Sequence, residues 1–364
     1  MAVYELERKI DLTAHSTVSH LPTSLDGLFE PIMQRAVAEI GETSPLLEQI
    51  AAYHMGWRNA DLSPIAGDPP NPGKRIRPRL AMLVTAALGA DPAMAAPVAA
   101  AIELLHNFTL VHDDIQDQSH LRRHRPTVWS LWGEAQAINA GDALFASSHL
   151  ALYELADREE TAALLPQLVK AFDKTTLAIV GGQTMDIENE GDASVTVERY
   201  IATIAGKTSA IVEFSAWAGG LVGGATEQQS AELARFGLST GLAFQIRDDL
   251  LGIWGTEAET GKTPADDIRR GKQTLPLIEL RRLATPHERR ELEAWLTTAE
   301  DTDASVRAIL GLLSDYDMRA QVEQQIRFYH NAASAALGQV IPRDSSTAAH
   351  QLYALLDGLE HRSG

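Results

Sequence analysis

No cysteine occurs among the 364 residues, which excludes disulfides, zinc–thiolate sites and cysteine nucleophiles by inventory. Such an inventory suits a cytoplasmic enzyme. Basic residues are in deficit: 31 Lys and Arg stand against 49 Asp and Glu, a formal net charge of −18. A general binder of nucleic acid or of anionic membranes needs the opposite balance, so nucleic acid is not expected as a partner. Long apolar runs are missing as well. The N-terminus, MAVYELERKIDL, is charged where an export signal needs an apolar core, and no later segment offers the roughly 18 to 20 continuous apolar residues of a membrane span. The chain is therefore expected to remain unexported and without stable membrane insertion. Runs of Val, Ile and Thr that would mark a sheet are absent, as are a repeat period of roughly 20 to 50 residues and a low-complexity linker.

What remains is rich in alanine and leucine, poor in aromatics at 6%, and carries its apolar residues at helical rather than alternating spacing. Helices are expected to begin near Leu25, Arg79, Ala96, Ala135, Glu160, Val197, Gln228 and Glu288. Breaks fall at DLSPIAGDPPNPG, LGADP, IENEGDAS, GGAT, TEAETGKTP and IPRDSS. The expectation is an all-α chain forming one domain over residues 1–364, with residues 1–20 as a loosely ordered extension.

Charge in this chain is clustered. From Leu110 the sequence runs LVHDDIQDQSHLRRHRPTVW, so Asp113, Asp114 and Asp117 are followed at once by Arg122, Arg123 and Arg125. Asp113 and Asp117, four residues apart, share a helix face, and like charges at that spacing cost a few tenths of a kcal/mol even in water. Hard divalent cations resolve such a conflict; Mg²⁺ typically takes one or two carboxylates and leaves positions for water and phosphate oxygens. A solvated acidic helix end is the plain alternative, and an EF-hand is disfavoured by spacing and by the lack of a central glycine. A second acidic pair, Asp248 and Asp249, ends the apolar run GLAFQI. Two such pairs at the ends of two apolar helices suggest a shared mouth between a greasy channel and a charged rim. Three basic groups accompany them: Lys74, Arg75 and Arg77; Arg122, Arg123 and Arg125; Arg269, Arg270 and Lys272. Arginine grips phosphate oxygens in a fork and lysine acts as a mobile point charge, although pairing with local acids is the ordinary use of both. His106 lies seven residues before Asp113, two turns up the same face, where a histidine is as readily a core residue as a ligand.

Taken together these stretches resemble the trans-isoprenyl diphosphate synthases, the polyprenyl synthetase family that includes farnesyl and geranylgeranyl diphosphate synthases. The similarity runs from about Gly73 to Pro276 through NPGKRIRP, LLHNFTLVHDDIQD, LRRHRPT, GGQTMDIE, GKTSAIVEFSAWAGG, FQIRDDLLGIWG and TGKTPADDIRRGKQTLP, in the family's order. The resemblance implies a helical bundle around a central apolar cavity and condensation of isopentenyl diphosphate with an allylic diphosphate. It implies that Lys74, Arg77, His106 and Arg123 hold isopentenyl diphosphate, and that Arg122, Lys207, Thr208, Gln245, Lys262 and Lys272 surround the allylic diphosphate. Asp113, Asp117 and Asp248 would bind Mg²⁺, three ions per site, with Asp114, Asp249, Gln183 and Asp186 in support; Asp113, Asp117, Arg122, Lys207 and Asp248 carry the catalytic assignment. A homodimer is implied too. Two positions depart from the pattern. Gly252 stands where the second motif has its third aspartate, and His124 where the family often has glycine.

Product length in this family follows the depth of the channel below the first aspartates. Phe108 sits five residues upstream of Asp113, about 7.5 Å along the axis, and Thr109 four. An aromatic at the fifth upstream position resembles members that stop at the C20 geranylgeranyl product. A C15 or longer product is the alternative, and Ser147 and Ser148 are expected as further channel-lining candidates. A related-fold terpene cyclase would lack the isopentenyl site, and a non-catalytic regulatory subunit would lose carboxylates from the first motif.

Overall fold

The computed structural model describes residues 24–65, 73–257, 263–297 and 302–360, so the extension expected over 1–20 lies outside the described residues. The first half folds as α1 (Asp26–Ala38), α2 (Ile40–Thr43), α3 (Pro45–His54), α4 (Ile76–Ala87), α5 (Ala96–Gln116), α6 (Val128–Trp132) and α7 (Glu134–Tyr153). It is succeeded by α8 (Glu159–Ala162), α9 (Leu165–Asn189), α10 (Val197–Ile204), α11 (Ala210–Val222) and α12 (Glu227–Trp254). Further helices include Asp266–Arg269, Leu275–Leu283, Met318–Gly338 and Thr347–Glu360. The all-α expectation holds.

Helix α5 is the axis of the bundle. Its residues Val98 to Ile102, Leu104 and Leu105 are fully buried on every side, because α1, α4, α7 and α11 surround it. A helix that is apolar all round is stable only in such a position. By length and composition the segment Pro92–Gln116 would also suit a membrane, contrary to the expectation that no segment would; most of it is covered by neighbouring helices. The main core adds Phe29, Met33, Ile50, Leu80, Met82, Leu144, Leu152, Phe172 and Phe236. Helix α12, 28 residues and so about 42 Å long, links this core to two smaller ones. Thr226 and Gln229 close a reciprocal cap at its start, satisfying two otherwise orphaned amides. Its far end carries Asp248 and Asp249 to the rim.

Two local departures from regular helix matter for function. The segment expected to run on from Val197 is interrupted by a π-helical turn, Ala205–Ser209, where the backbones of Gly206 and Gly182 meet; a Cβ on Gly182 would overlap the backbone of Lys207. Such turns insert one residue into the helical register and so re-aim the side chains beyond them. After α5 the chain makes a short antiparallel ribbon, β1 (Leu121–Arg122) and β2 (Arg125–Pro126), where no strand was expected. Its two turn residues, Arg123 and His124, have φ of 51° and 63°, as two-residue hairpin loops demand.

His124 thus occupies a conformation that suits glycine. Replacing it by glycine removes a left-handed strain of about 1 kcal/mol, so His124→Gly should raise the urea-unfolding free energy by roughly 0.5–1 kcal/mol. A destabilised variant would contradict this account of the turn.

Candidate active site

The two acidic pairs share one arrangement. In each, one carboxylate faces a cavity and its neighbour is buried against a cation. Asp113 and Asp248 both line a cavity of about 500 Å³. Asp114, only 2% exposed, is turned away and accepts from Arg122 Nε at 2.8 Å and Nη2 at 2.7 Å. Asp249, 1% exposed, accepts from Lys272 Nζ at 3.1 Å, Gln245 Nε2 at 3.1 Å and the Tyr200 hydroxyl at 2.7 Å. Asp114 and Asp249 are therefore not placed beside Asp113 and Asp248 on the cavity wall. Asp117, the residue that follows and caps α5, is exposed.

Burial pushes the Asp113 carboxyl up to about 6, with Asp117 and Asp186 adding to the rise and Lys207 and Arg122 opposing it. Across the cavity, the π-turn aims Lys207, whose Nζ donates to Asp186 Oδ2 at 2.6 Å. Thr208 donates to Gln245 Oε1 at 2.8 Å, which leaves that amide's NH₂ for Asp249. Gln183 donates to Gln116 at 2.8 Å, while its own Oε1 is buried with no hydrogen-bond partner, as is Asp114 Oδ2. Among the described residues no three acidic or imidazole groups converge to enclose an ion. Carboxylates offered singly from two helices, with buried oxygens left over, suit a hard divalent cation that keeps water and phosphate oxygens as its other ligands.

Arg77 and His106 line the same cavity. Arg77 Nη1 lies 3.2 Å from His106 Nε2; a guanidinium can only donate, so Nε2 accepts and the ring proton resides on Nδ1. Burial, and then Arg77, Arg123 and Arg122, hold this imidazole well below its ordinary titration range, so it is neutral. Arg123 lies against Gly73, where a Cβ would come within 2.8 Å of Nη2. Arg123 and Arg122 line a smaller neighbouring pocket with His54 and Asn107, and Lys74 is exposed on the loop before α4. Three further basic residues have other uses. Arg75 is buried in ion pairs with Glu30 and Asp26, Arg125 donates to the carbonyls of Tyr53 and Arg58, and Arg269 pairs with Asp303 on the surface. Lys262 lies outside the described residues.

Below the rim the cavity is apolar, with Phe108, Ile179, Val180, Ile211 and Phe244 in its wall. Phe108 stands edge-on to His112 at 4.8 Å and 5.3 Å from Phe145. Thr109 also lines the cavity, its hydroxyl bonded back to His106 O at 2.7 Å. Ser147 and Ser148 do not: both are buried within the bundle, donating to Ala36 O and Phe145 O. The expectation that they line the channel fails because α7 turns Ser147 toward α1 and Ser148 bonds back onto its own helix. Sequence reasoning also missed Tyr200, Gln116 and Glu103. Glu103 alone left a signal, as one charge in an apolar run three residues before His106; it is buried among the fields of Arg75, Arg77 and Arg123.

An all-helical bundle whose apolar shaft opens between two aspartate-bearing helix ends has the isoprenoid synthase fold. The chain belongs to the polyprenyl synthetase family, whose profile matches residues 66–313. A geranylgeranyl diphosphate synthase of Mycobacterium tuberculosis is 43% identical over 248 residues, 68% of this chain and 68% of that protein. A (2E,6E)-farnesyl diphosphate synthase of the same organism is 38% identical over 273 residues, 73% of this chain and 74% of that protein. The crystal structure of a polyprenyl synthetase from Streptomyces coelicolor matches with a TM-score of 0.80 at 34% identity, covering 92% of this chain and 97% of that one.

The raised Asp113 carboxyl has a signed consequence. Its folded value, about 6, lies above the ordinary 3.8, so the ionised form burdens the fold above pH 6 and the burden vanishes as pH falls below 4. In metal-free buffer Asp113→Asn should therefore stabilise the protein at pH 7.5 by on the order of 1–3 kcal/mol. Urea unfolding at pH 7.5 and 4.5 checks this: the advantage should shrink at the lower pH, and a less stable variant at pH 7.5 would count against the assignment.

Proposed function

We propose that this chain is a trans-prenyltransferase that condenses isopentenyl diphosphate with an allylic diphosphate and yields mainly geranylgeranyl diphosphate, C20. The observation that carries this reading is the placement of Asp113, Asp248 and Lys207 on one polar mouth, with Arg77 and His106 on the same cavity and an apolar shaft beneath. Two diphosphate sites and a hydrocarbon channel are what elongation requires. A cyclase of related fold needs only one such site, and a regulatory subunit has no use for the intact Asp113, Asp114 and Asp117 set.

In this reading Asp113, Asp117 and Asp248 hold Mg²⁺, three ions per site, with Asp114, Asp249, Gln183 and Asp186 supporting them. When bound, Mg²⁺ supplies charge neutralisation that makes the allylic diphosphate a better leaving group. Lys207, Arg122, Thr208, Gln245, Lys262 and Lys272 surround that diphosphate, and their preorganised donors stabilise negative charge as the C1–O bond breaks. Arg77, neutral His106, Lys74 and Arg123 hold isopentenyl diphosphate so that its terminal alkene carbon faces the allylic cation. A C–C bond forms between that carbon and C1. The resulting tertiary cation loses a proton from C2, and the new allylic diphosphate is five carbons longer. The departing pyrophosphate is the proton acceptor; no side-chain base is assigned.

Phe108 is the floor of the shaft in this reading, and the cytoplasm its compartment. A homodimer is also proposed, because α7 exposes Ile138, Leu150 and Tyr153 and α9 exposes Leu177, the kind of apolar surface a second copy covers. Sedimentation should give about twice the chain mass of 39.5 kDa; a monomer at micromolar concentration would remove the dimer alone.

Incubation with isopentenyl diphosphate, Mg²⁺ and C5, C10 or C15 starters, with chromatography of the dephosphorylated alcohols, tests the whole reading. A dominant C20 alcohol is expected, and Phe108→Ala should shift products upward by at least one C5 unit. A dominant C15 product would keep the chemistry and discard the floor, whereas no elongation from any starter would overturn the function.

A further inference from the structure

The hairpin that carries Arg122 and Arg123 has a third arginine that the proposed chemistry leaves out. Arg125 pairs with Arg122 across the ribbon, and cations gathered this closely repel one another. The end of helix α3 resolves the conflict. Its last turn closes on a left-handed glycine, Gly56, with φ of 83°; the Trp57 amide donates to Ala52 O at 2.9 Å and the Gly56 amide to Tyr53 O at 3.0 Å. A cation set against such a helix end meets both its last carbonyls and the negative end of the helix dipole.

Arg125 takes that place. Its Nη1 donates to Tyr53 O at 3.2 Å and its Nη2 to Arg58 O at 2.6 Å, while the guanidinium carbon stands 4.2 Å from the centre of the Tyr53 ring. The Tyr53 hydroxyl donates in turn to Pro126 O at 2.7 Å, so helix and ribbon hold each other reciprocally. Tyr53 is only 3% exposed, and Trp132 braces its ring edge-on at 5.0 Å. His54, the next residue, lines the small pocket beside Arg122 and Arg123. Burial, and then those two arginines, push its imidazole down to about 3, so it adds no positive charge beside them. An isolated two-stranded hairpin is marginal in water. This one also keeps Arg123 and His124 in left-handed backbone, and the α3 turn supplies the anchor it lacks by itself.

We propose that Arg125 is a positioning residue for the condensation: bound to the α3 turn and the Tyr53 ring, it fixes the hairpin so that Arg122 and Arg123 are presented to the two diphosphates. The inference rests on the diphosphate-site reading given under the proposed function.

The test is steady-state kinetics of the full-length protein with Mg²⁺, a saturating allylic starter and varied isopentenyl diphosphate, with folding of each variant verified by circular dichroism. Arg125→Gln should raise the KM for isopentenyl diphosphate about tenfold, since small misplacements remote from the chemistry carry costs of that order. Arg125→Lys should stay at least about threefold above wild type, because one ammonium cannot span two carbonyls and stack on a ring at once. In an Arg123→Gln background, adding Arg125→Gln should raise KM by less than about threefold, the non-additivity expected of a residue that acts through another. An unchanged KM in Arg125→Gln overturns the proposal. Full recovery by lysine does so too, since charge rather than placement would then matter, as does a further tenfold rise in the Arg123→Gln background. Should Arg125→Gln not fold, Tyr53→Phe takes its role: losing only the hydroxyl bond to Pro126 O should raise KM about threefold, and an unchanged KM overturns the proposal. A wild type that elongates no starter overturns the diphosphate-site reading itself, and the inference with it.

Discussion

The site depends on two ion pairs in which a buried carboxylate meets a partly exposed cation, Arg122 with Asp114 and Lys272 with Asp249. Each neutralises the inner member of an aspartate pair, so the outer member faces the cavity without a competing like charge beside it at the same depth. Removing the cation of such a pair leaves a buried carboxylate uncompensated. The surrounding backbone serves these contacts. The tight ribbon after α5 returns Arg122 to the helix it has just left, and the loop before Leu275 returns Lys272 to α12. Tyr200 and Gln245 complete the environment of Asp249, whose two oxygens together accept three hydrogen bonds.

That arrangement leaves an electrostatic tension at the rim. Asp113 is pressed upward by burial and by Asp117 and Asp186, and it stands in the last turn of α5, where the helix dipole disfavours negative charge. Lys207 offsets part of this while itself bonded to Asp186. A site that met all its own charges would have nothing to offer a polyanion and its cations. The tension falls at residues that local rules disfavour, a pattern common at functional sites.

The legible part of this protein is what repeats locally. Apolar periodicity located α5, α9 and α12, and the i, i+4 spacing put Asp113 and Asp117 at one helix end. Periodicity is blind to contacts between distant segments. It read Val197 onward as one helix because the π-turn depends on Gly182, on the preceding long helix α9, meeting Gly206 backbone to backbone. It assigned Ser147 and Ser148 to the channel because their burial is plain from α7 while the direction of that burial depends on α1. It cannot show that Asp114 and Asp249 turn away from the cavity, since only the fold brings Arg122 and Lys272 to them. Tyr200 left no trace at all: one tyrosine in an ordinary amphipathic helix gains its meaning from Asp249, 49 positions away.

The depth of the shaft is likewise a matter of distant contacts. Phe108 can block a chain only if its ring cannot swing aside, and that is decided by what stands behind it. Phe145 backs Phe108 at 5.3 Å; His149 meets Phe145 edge-on at 4.9 Å and Phe172 at 5.2 Å; Phe172 meets Phe214 at 5.5 Å. The stack crosses α5, α7, α9 and α11, and His149 is pinned within it by Asp173 at 2.8 Å. Offset and edge-on ring contacts each contribute about 0.5–1.5 kcal/mol beyond area burial, so moving Phe108 disturbs a row braced by four helices. The floor is collective. If position 108 sets the chain-length limit, as proposed, residues on three other helices enforce it, and a change at Phe145 or His149 acts on Phe108 from behind.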